Sequence, residues 1–132
     1  MKYGVINENH LFVKCYHKGK KIVTKRVVVF VLEDKHARFL KKSHPDKIKI
    51  NRVGISVTKK LGTAVARNRT KRIIREAWRQ LTKEFETVKG KLIVISAREA
   101  AGDAKTGDIL KDLIYAAHRL GLTVDQKDEK SD

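Results

Sequence analysis

The chain has 132 residues, with 31 Lys and Arg against 15 Asp and Glu and a formal net charge of +16; its pI is near 10.1. That length is one domain, long enough to bury a core without staples, and a 41% hydrophobic content excludes a disordered chain. One cysteine, Cys15, excludes an intramolecular disulfide framework and a cysteine-rich zinc site.

No apolar run approaches transmembrane length. The opening MKYGVINENH lacks the apolar stretch of a signal peptide. A cytoplasmic, reducing setting is expected. So large a charge repels itself in a compact state unless a polyanion sits against it. Nucleic acid is the default partner, and an anionic membrane is the main competitor.

In chain order, "NENHLFVKCYHKGK" reads as a short helix that Asn7 or Asn9 would cap and Gly19 would end. Leu11 with Cys15, and Phe12 with Tyr16, are i,i+4 pairs on neighbouring faces. "VTKRVVVFVLED" is β-branched and reads as a strand run, open to a break in two. "KHARFLKKSHPDK" is a polar connection holding the one proline. "KIKINRVGISVTKK" alternates as a strand, with a parity shift between Ile50 and Val53 that predicts a bulge or twist near Asn51. A long helix is predicted from about Thr63 to Val88.

"GKLIVISARE" reads as a fully buried strand. "TGDILKDLIYAAHRLGL" is a final helix, capped by Thr106 or Asp108 and closed by Gly121. The remaining TVDQKDEKSD is charged, and disorder is expected there. These elements predict one domain over 1–121 and a tail over 122–132. The fold class is α+β: an α/β sandwich with helices packed on a small sheet.

Charge is concentrated. Between Lys47 and Arg79, eleven Lys or Arg accompany a single acid, Glu76. On the long helix, Ala66, Thr70, Ile73, Ala77 and Leu81 form a predicted buried stripe. Arg67, Lys71, Arg75 and Arg79 form a second stripe, with Asn68, Arg69 and Arg72 beside it. Like charges at i,i+4 cost about 0.2–0.5 kcal/mol per pair in an isolated helix, and a helix shaped for solubility would interleave Glu. A membrane-surface helix needs large apolar residues beside its basic face; this one commits its apolar face to a core. Phosphate fits better, because guanidinium groups bind it in planar, two-toothed fashion. Gly62 precedes the helix in a turn that could bind an anion through free N–H groups, or serve geometry alone.

The strand before that turn has two unlike faces. Val53, Ile55 and Val57 point toward a core. Arg52, Gly54, Ser56 and Thr58 leave a low, polar surface that Phe30, Phe12 and Tyr16 could line. Rings beside a basic groove hold single-stranded RNA by stacking while cations track its backbone. By spacing alone the three rings fit ordinary core positions better, and both readings stay open at this stage.

At "RVGISVTKKLGTAVARNRTKRIIREAWR" the sequence closely resembles the bacterial ribonuclease P protein component. The family pattern falls on Arg67, Asn68 and Arg69, then Lys71, Arg72 and Arg75. Gly54-Ile55-Ser56-Val57, Lys59-Lys60-Leu61-Gly62 and the N-terminal "LFVKCYHKGK" match as well, and the likeness covers roughly residues 8 to 120. It implies the order α-β-β-β-α-β-α, with a mixed sheet and an unusual left-handed β-α-β crossover, an exception to the usual handedness.

The resemblance further implies a subunit of a ribonucleoprotein endonuclease. That enzyme removes the 5′ leader of precursor tRNA, and its RNA subunit does the chemistry with Mg²⁺. The implied partners are that catalytic RNA and the precursor tRNA, with no membrane and no obligate protein partner. The Arg-Asn-Arg helix would contact the catalytic RNA. A cleft between first helix, sheet and basic helix would hold the leader, with Phe12, Tyr16, Phe30, Arg52, Ser56, Lys59 and Lys60 as its residues. Thr63 replaces a usual Asn, Tyr16 stands where Phe is frequent, and the connection from Glu33 to Asn51 is longer than is common.

No polypeptide catalytic residue is expected. Two-metal phosphoryl transfer needs clustered carboxylates, and the basic segments offer only Glu76, so no metal or cofactor is assigned to the protein. His10 and His17 are the one conceivable acid–base pair, with a surface or phosphate-contacting role the simpler reading. His36, His44 and His118 lack ligand spacing. Cys15 reads as a half-buried structural thiol and Trp78 as packing. Tyr115 and His118 are possible cleft residues from the last helix. Two alternatives are a structural or ribosome-associated RNA-binding protein with no role in cleavage and, behind it, a DNA-binding regulator, for which no helix-turn-helix pair is evident.

Overall fold

The computed structural model describes residues 4–6, 8–35 and 50–124. Its central strand, β5 (Lys91–Ala97), explains the unbroken apolar run "LIVI". It lies parallel to β4 (Arg52–Ser56) on one side and antiparallel to β3 (Val27–Glu33) on the other, so both of its faces are covered. β3 folds back on β2 (Lys20–Val23) as an antiparallel pair; the β-branched run holds β3 and only the last residue of β2, Val23, while Lys20 to Ile22 precede it. A two-residue strand, β1 (Gly4–Val5), lies parallel to the outer edge of β4. The sheet order is β1-β4-β5-β3-β2. No pattern in the sequence announced β1, since two residues cannot display a period.

Three helices cover this mixed sheet: α1 (Asn9–Lys18), α2 (Ala64–Glu84) and α3 (Thr106–Arg119). The strand period of two sends alternate side chains to opposite faces. Val27, Val29, Val31, Val53, Ile93 and Ile95 meet α2 and α3, whose Ile74, Trp78, Leu81, Ile109 and Leu113 complete the main core. Leu92, Val94 and Phe30 meet α1, which contributes Leu11, Phe12 and Cys15. The α+β sandwich therefore has α1 on one face and the α2–α3 pair on the other. Parallel neighbours β4 and β5 are joined through α2, which is the β-α-β unit of the fold.

Several predicted boundaries move. Asn9 is already helical, and Glu8 at the cap position makes no side-chain cap bond; Asn7 lies outside the described residues. α2 is capped as its sequence suggests, Thr63 Oγ1 accepting the Ala66 N–H at 3.2 Å. It ends at Glu84, short of Val88, because Phe85 turns extended and packs against the main core. The buried stripe of α2 also shifts: Ile74 and Trp78 are fully buried, while Ile73 is only partly so. At α3, Lys105 takes the cap position, and its backbone N–H donates to the Asp108 carboxylate at 3.0 Å.

Past Gly121 the chain stays on the fold for three more residues, 122–124. Gly121 adopts φ +73°, a left-handed conformation that glycine tolerates, and Leu122 N–H then donates to Ala117 O at 2.8 Å. This turn returns Leu122 to the core, fully buried. Val124 N–H donates to Glu86 O at 2.7 Å. The folded domain therefore runs through Val124, and only 125–132 of the predicted tail lies outside the described residues. Most of the 33–51 connection, His36 and His44 included, lies outside them as well.

Candidate RNA interface

The strand predicted from Lys47 starts only at Arg52, with 47–49 outside the described residues, and Asn51 just before it is fixed by side-chain hydrogen bonds. The Asn51 side chain is buried and stands in for backbone: Nδ2 donates to Val88 O at 2.7 Å, and Oδ1 accepts the Lys91 N–H at 2.9 Å. This brace fixes where β4 starts, and so which side chains reach each face. Register then aligns Gly54, Val94 and Phe30 across β4, β5 and β3, with Ser56, Ser96 and Val28 in the next row. All six lie on the α1 face.

α1 lays its rings over these rows. Tyr16 meets Phe30 edge-on, with centroids 5.0 Å apart at 71°, and Phe12 at 6.5 Å. Ser96 Oγ donates to Tyr16 Oη at 3.4 Å. Tyr16 is 39% exposed, and Phe12 and Phe30 are half-buried. The three rings therefore form one surface that is neither core nor free. Gly54 is what admits them, because a Cβ there would sit 2.6 Å from Phe12 Cζ.

The basic helix flanks the same strand. Asn68, Arg69, Arg72, Arg75 and Arg79 are exposed, and Arg67 and Lys71 are half-buried. Arg69 Nη1 donates to Gly102 O at 3.3 Å, tying the second turn of α2 to the segment after β5. Arg67 Nε is buried without a hydrogen-bond partner among the described residues. Lys59 and Lys60 are exposed on a single 3₁₀ turn, Lys59–Leu61. Gly62 follows at φ +121°, where glycine is favoured. Lys71, Arg75 and Trp78 of α2 close a cleft of about 200 Å³ against Val5, Phe12 and the Gly54 segment of β4. The ring surface and the basic stripe thus meet at one strand.

Not every predicted cation is free. Arg52 is held by Asp34, Nε to Oδ2 at 2.8 Å and Nη2 to Oδ1 at 3.0 Å, and that hydrogen-bonded pairing raises its pKa further. Arg79 is held by Glu76, Nε to Oε1 at 3.0 Å and Nη2 to Oε2 at 2.6 Å. The Arg79 and Gln80 hydrogen bonds push the Glu76 carboxyl down to about 2. It stays charged and is unfit to shuttle protons near neutrality. Among the described residues no three His, Cys, Asp or Glu gather as a metal site would require.

The histidines stand apart. His10 and His17 are both exposed on α1, and seven helical residues separate them by roughly 10.5 Å along the axis. His118 stacks edge-on against Phe85 at 5.2 Å, and its Nδ1 lies 3.2 Å from Thr123 Oγ1. Tyr115 is exposed beside Arg119. Both belong to α3, and neither is among the residues that close the cleft of Lys71, Arg75 and Phe12.

Sequence reasoning missed one participant: Asp34 sits 18 residues from Arg52, and nothing local signals their pairing. Trp78 is packing, as its place in the sequence suggests, and lies fully buried in the main core.

An α+β domain with rings and a basic helix converging on one strand is an RNA-binding protein by architecture. The ribonuclease P family profile matches residues 2–121. The chain is 32% identical over 122 residues to the ribonuclease P protein component of Clostridium botulinum (92% of this chain, 98% of that protein). It is 34% identical to the one from a Bacillus cereus strain (89% and 90%). The Staphylococcus aureus RNase P protein structure superposes with a TM-score of 0.72 at 31% identity, covering 93% of this chain and all of that one. The Thermotoga maritima protein shares the fold, with a TM-score of 0.60 at 23% identity over 79% of this chain and 86% of that one. The chain belongs to the ribonuclease P protein family. No helix among the described residues is long and apolar enough to cross a membrane.

Proposed function

We propose that this protein is the RNA-binding subunit of a ribonucleoprotein that removes the 5′ leader from precursor tRNA, with the chemistry done by the RNA subunit. The observation that carries this reading is the meeting of the Phe12–Tyr16–Phe30 surface with Lys71 and Arg75 across Gly54. Partly exposed rings suit unpaired bases, which stack on them without strict sequence readout. Cations beside the rings suit the phosphates that link those bases.

In this reading the leader lies along the ring surface, with its backbone near Lys59 and Lys60 and Ser56 on the cleft floor. Arg67, Asn68, Arg69, Lys71, Arg72 and Arg75 face the catalytic RNA. Arg52 supports the cleft through Asp34 and makes no phosphate contact of its own. The helix places positive charge where two RNAs crowd together, which lowers their repulsion and with it the Mg²⁺ needed for activity. The lone acid of the basic face is already bound by Arg79 and Gln80, so the metal's ligands would be RNA oxygens.

The test is a comparison of affinities. The complex of this protein with catalytic RNA should bind leader-bearing precursor tRNA more tightly than mature tRNA, and the RNA alone should discriminate less. Equal preference with and without the protein would remove the leader from the cleft.

A further inference from the structure

α2 and α3 run side by side in the same direction. Arg69, in the second turn of α2, reaches Gly102 just ahead of α3, and Phe85, just past α2, meets the His118 ring near the end of α3. Each helix buries one face in the main core, so each turns its polar face away from the sheet. On α2 that face is the basic one already described. On α3 it is formed by Lys111, Tyr115, His118 and Arg119, all exposed. Their spacing at i, i+4, i+7 and i+8 puts them on one side of a helix.

Three features set this face apart from an ordinary solvated one. First, α3 commits its acids to the fold. Asp108 accepts the Lys105 N–H at 3.0 Å. Asp112 accepts the Thr24 hydroxyl at 3.1 Å, the Arg26 N–H at 3.0 Å and Arg26 Nη1 at 3.2 Å. Lys111 and Arg119 form no salt bridge among the described residues. Second, Tyr115 is 53% exposed, and the Arg119 guanidinium lies 5.7 Å from its ring centre. An open ring with a guanidinium beside it is a platform on which a nucleotide can stack. Third, the face continues the outer side of α2, where Arg69, Arg72 and Lys83 are exposed. A membrane would need large apolar residues flanking the cations, and a second copy of a chain carrying +16 would be repelled.

We infer that the outer face of α3 is a second docking ridge for the catalytic RNA. Lys111 and Arg119, about 12 Å apart along the helix, meet its phosphates, and Tyr115 stacks on one of its unpaired nucleotides. The inference rests on the RNA-binding reading above. It widens the protein's footprint on the catalytic RNA from one helix to two and leaves the leader at the ring surface under α1.

Affinity of the full chain for bacterial ribonuclease P catalytic RNA would be measured across a range of salt concentrations. Lys111→Ala combined with Arg119→Ala should flatten the plot of log affinity against log salt by about two units, one per phosphate contact. Tyr115→Ala should weaken binding at least about fivefold at fixed salt and leave the slope as it was, because a stacked ring carries no charge. Both variants should keep the parent's unfolding midpoint, since the altered side chains are exposed, and its preference for leader-bearing over mature tRNA. As a control, Lys18→Ala combined with Lys21→Ala removes the same charge from exposed sites on α1 and β2 and should leave the slope nearly unchanged.

Equal flattening by the control pair would show a general effect of charge and overturn the α3 contact. An unchanged slope in the α3 pair, beside a flattened one in Lys71→Ala, would overturn it too and leave the α2 reading standing. Unchanged slopes in both would bring down the α2 reading as well. An α3 pair that binds catalytic RNA normally but loses the preference for leader-bearing tRNA would assign the face to the substrate, against the inference.

Discussion

Arg52 and Asp34 close a two-toothed ion pair at the end of the sheet, with the Asp34 side chain only 3% exposed and that of Arg52 20% exposed. The pair holds the start of β4 to the chain leaving β3, so a residue that sequence alone assigns to RNA contact acts first on the fold. Removing one partner of a buried pair strands the other charge and typically costs 3–5 kcal/mol. Arg52 is partly solvated, so Asp34→Ala should cost about 3 kcal/mol, read as a lowered urea midpoint with an unchanged m-value. Arg52→Ala should lower stability too, yet leave the salt dependence of RNA binding as it was.

The free cations of α2 should behave in the opposite way. Lys71→Ala or Arg72→Ala should flatten the plot of log affinity against log salt by about one unit, as expected for one lost phosphate contact, with little change in stability. Arg79→Ala should flatten it less, because Glu76 already holds that guanidinium. An unchanged slope for Lys71 and Arg72 would place both away from RNA.

Phe30 divides the stacking reading from the core reading. Phe30→Ala should weaken binding of a single-stranded leader oligonucleotide by about 1–3 kcal/mol while the protein still unfolds cooperatively. Tyr16→Phe should keep most of that affinity, since the ring remains and only the hydroxyl near Ser96 is lost. A Phe30→Ala protein that fails to fold would make Phe30 a core residue before anything else.

Cys15 is fully buried, and burial pushes its thiol up from the ordinary value of 9.0, with Lys14 acting against this. A thiol is reactive as the thiolate, so the folded protein should resist alkylation by iodoacetamide near neutral pH and react only on unfolding, as mass spectrometry would show. The sign of the pH effect follows. With the folded pKa raised, this contribution to stability is complete below pH 9 and declines as pH rises through the folded value, because the unfolded thiol ionises first. Rapid alkylation of folded protein would contradict the packing of α1 on the sheet.

Much of this architecture is legible in the sequence, for local reasons. The β-branched runs mark β3 and β5, Thr63 marks the start of α2, and the crowding of Arg and Lys between 67 and 79 marks its exposed face. What was not legible depends on distant partners. β1 exists because β4 offers it an edge. Leu122 is core because Gly121 turns the chain back toward Phe85 and Val88. The half-buried thiol expected at Cys15 is fully covered, because α1 presses its C-terminal half onto Val94 and Leu92. The rings could be recognised as a surface only once the register had set Gly54 beneath Phe12.

In the proposed function this protein assists an RNA catalyst and cuts nothing itself. The most direct measurement is cleavage of a leader-bearing precursor tRNA at low Mg²⁺, comparing protein alone, bacterial ribonuclease P RNA alone, and the two together. The account predicts release of the leader by the mixture, little or none by the RNA alone under those conditions, and none by the protein. Cleavage by the protein alone, or a mixture no faster than the RNA alone despite bound protein, would contradict it.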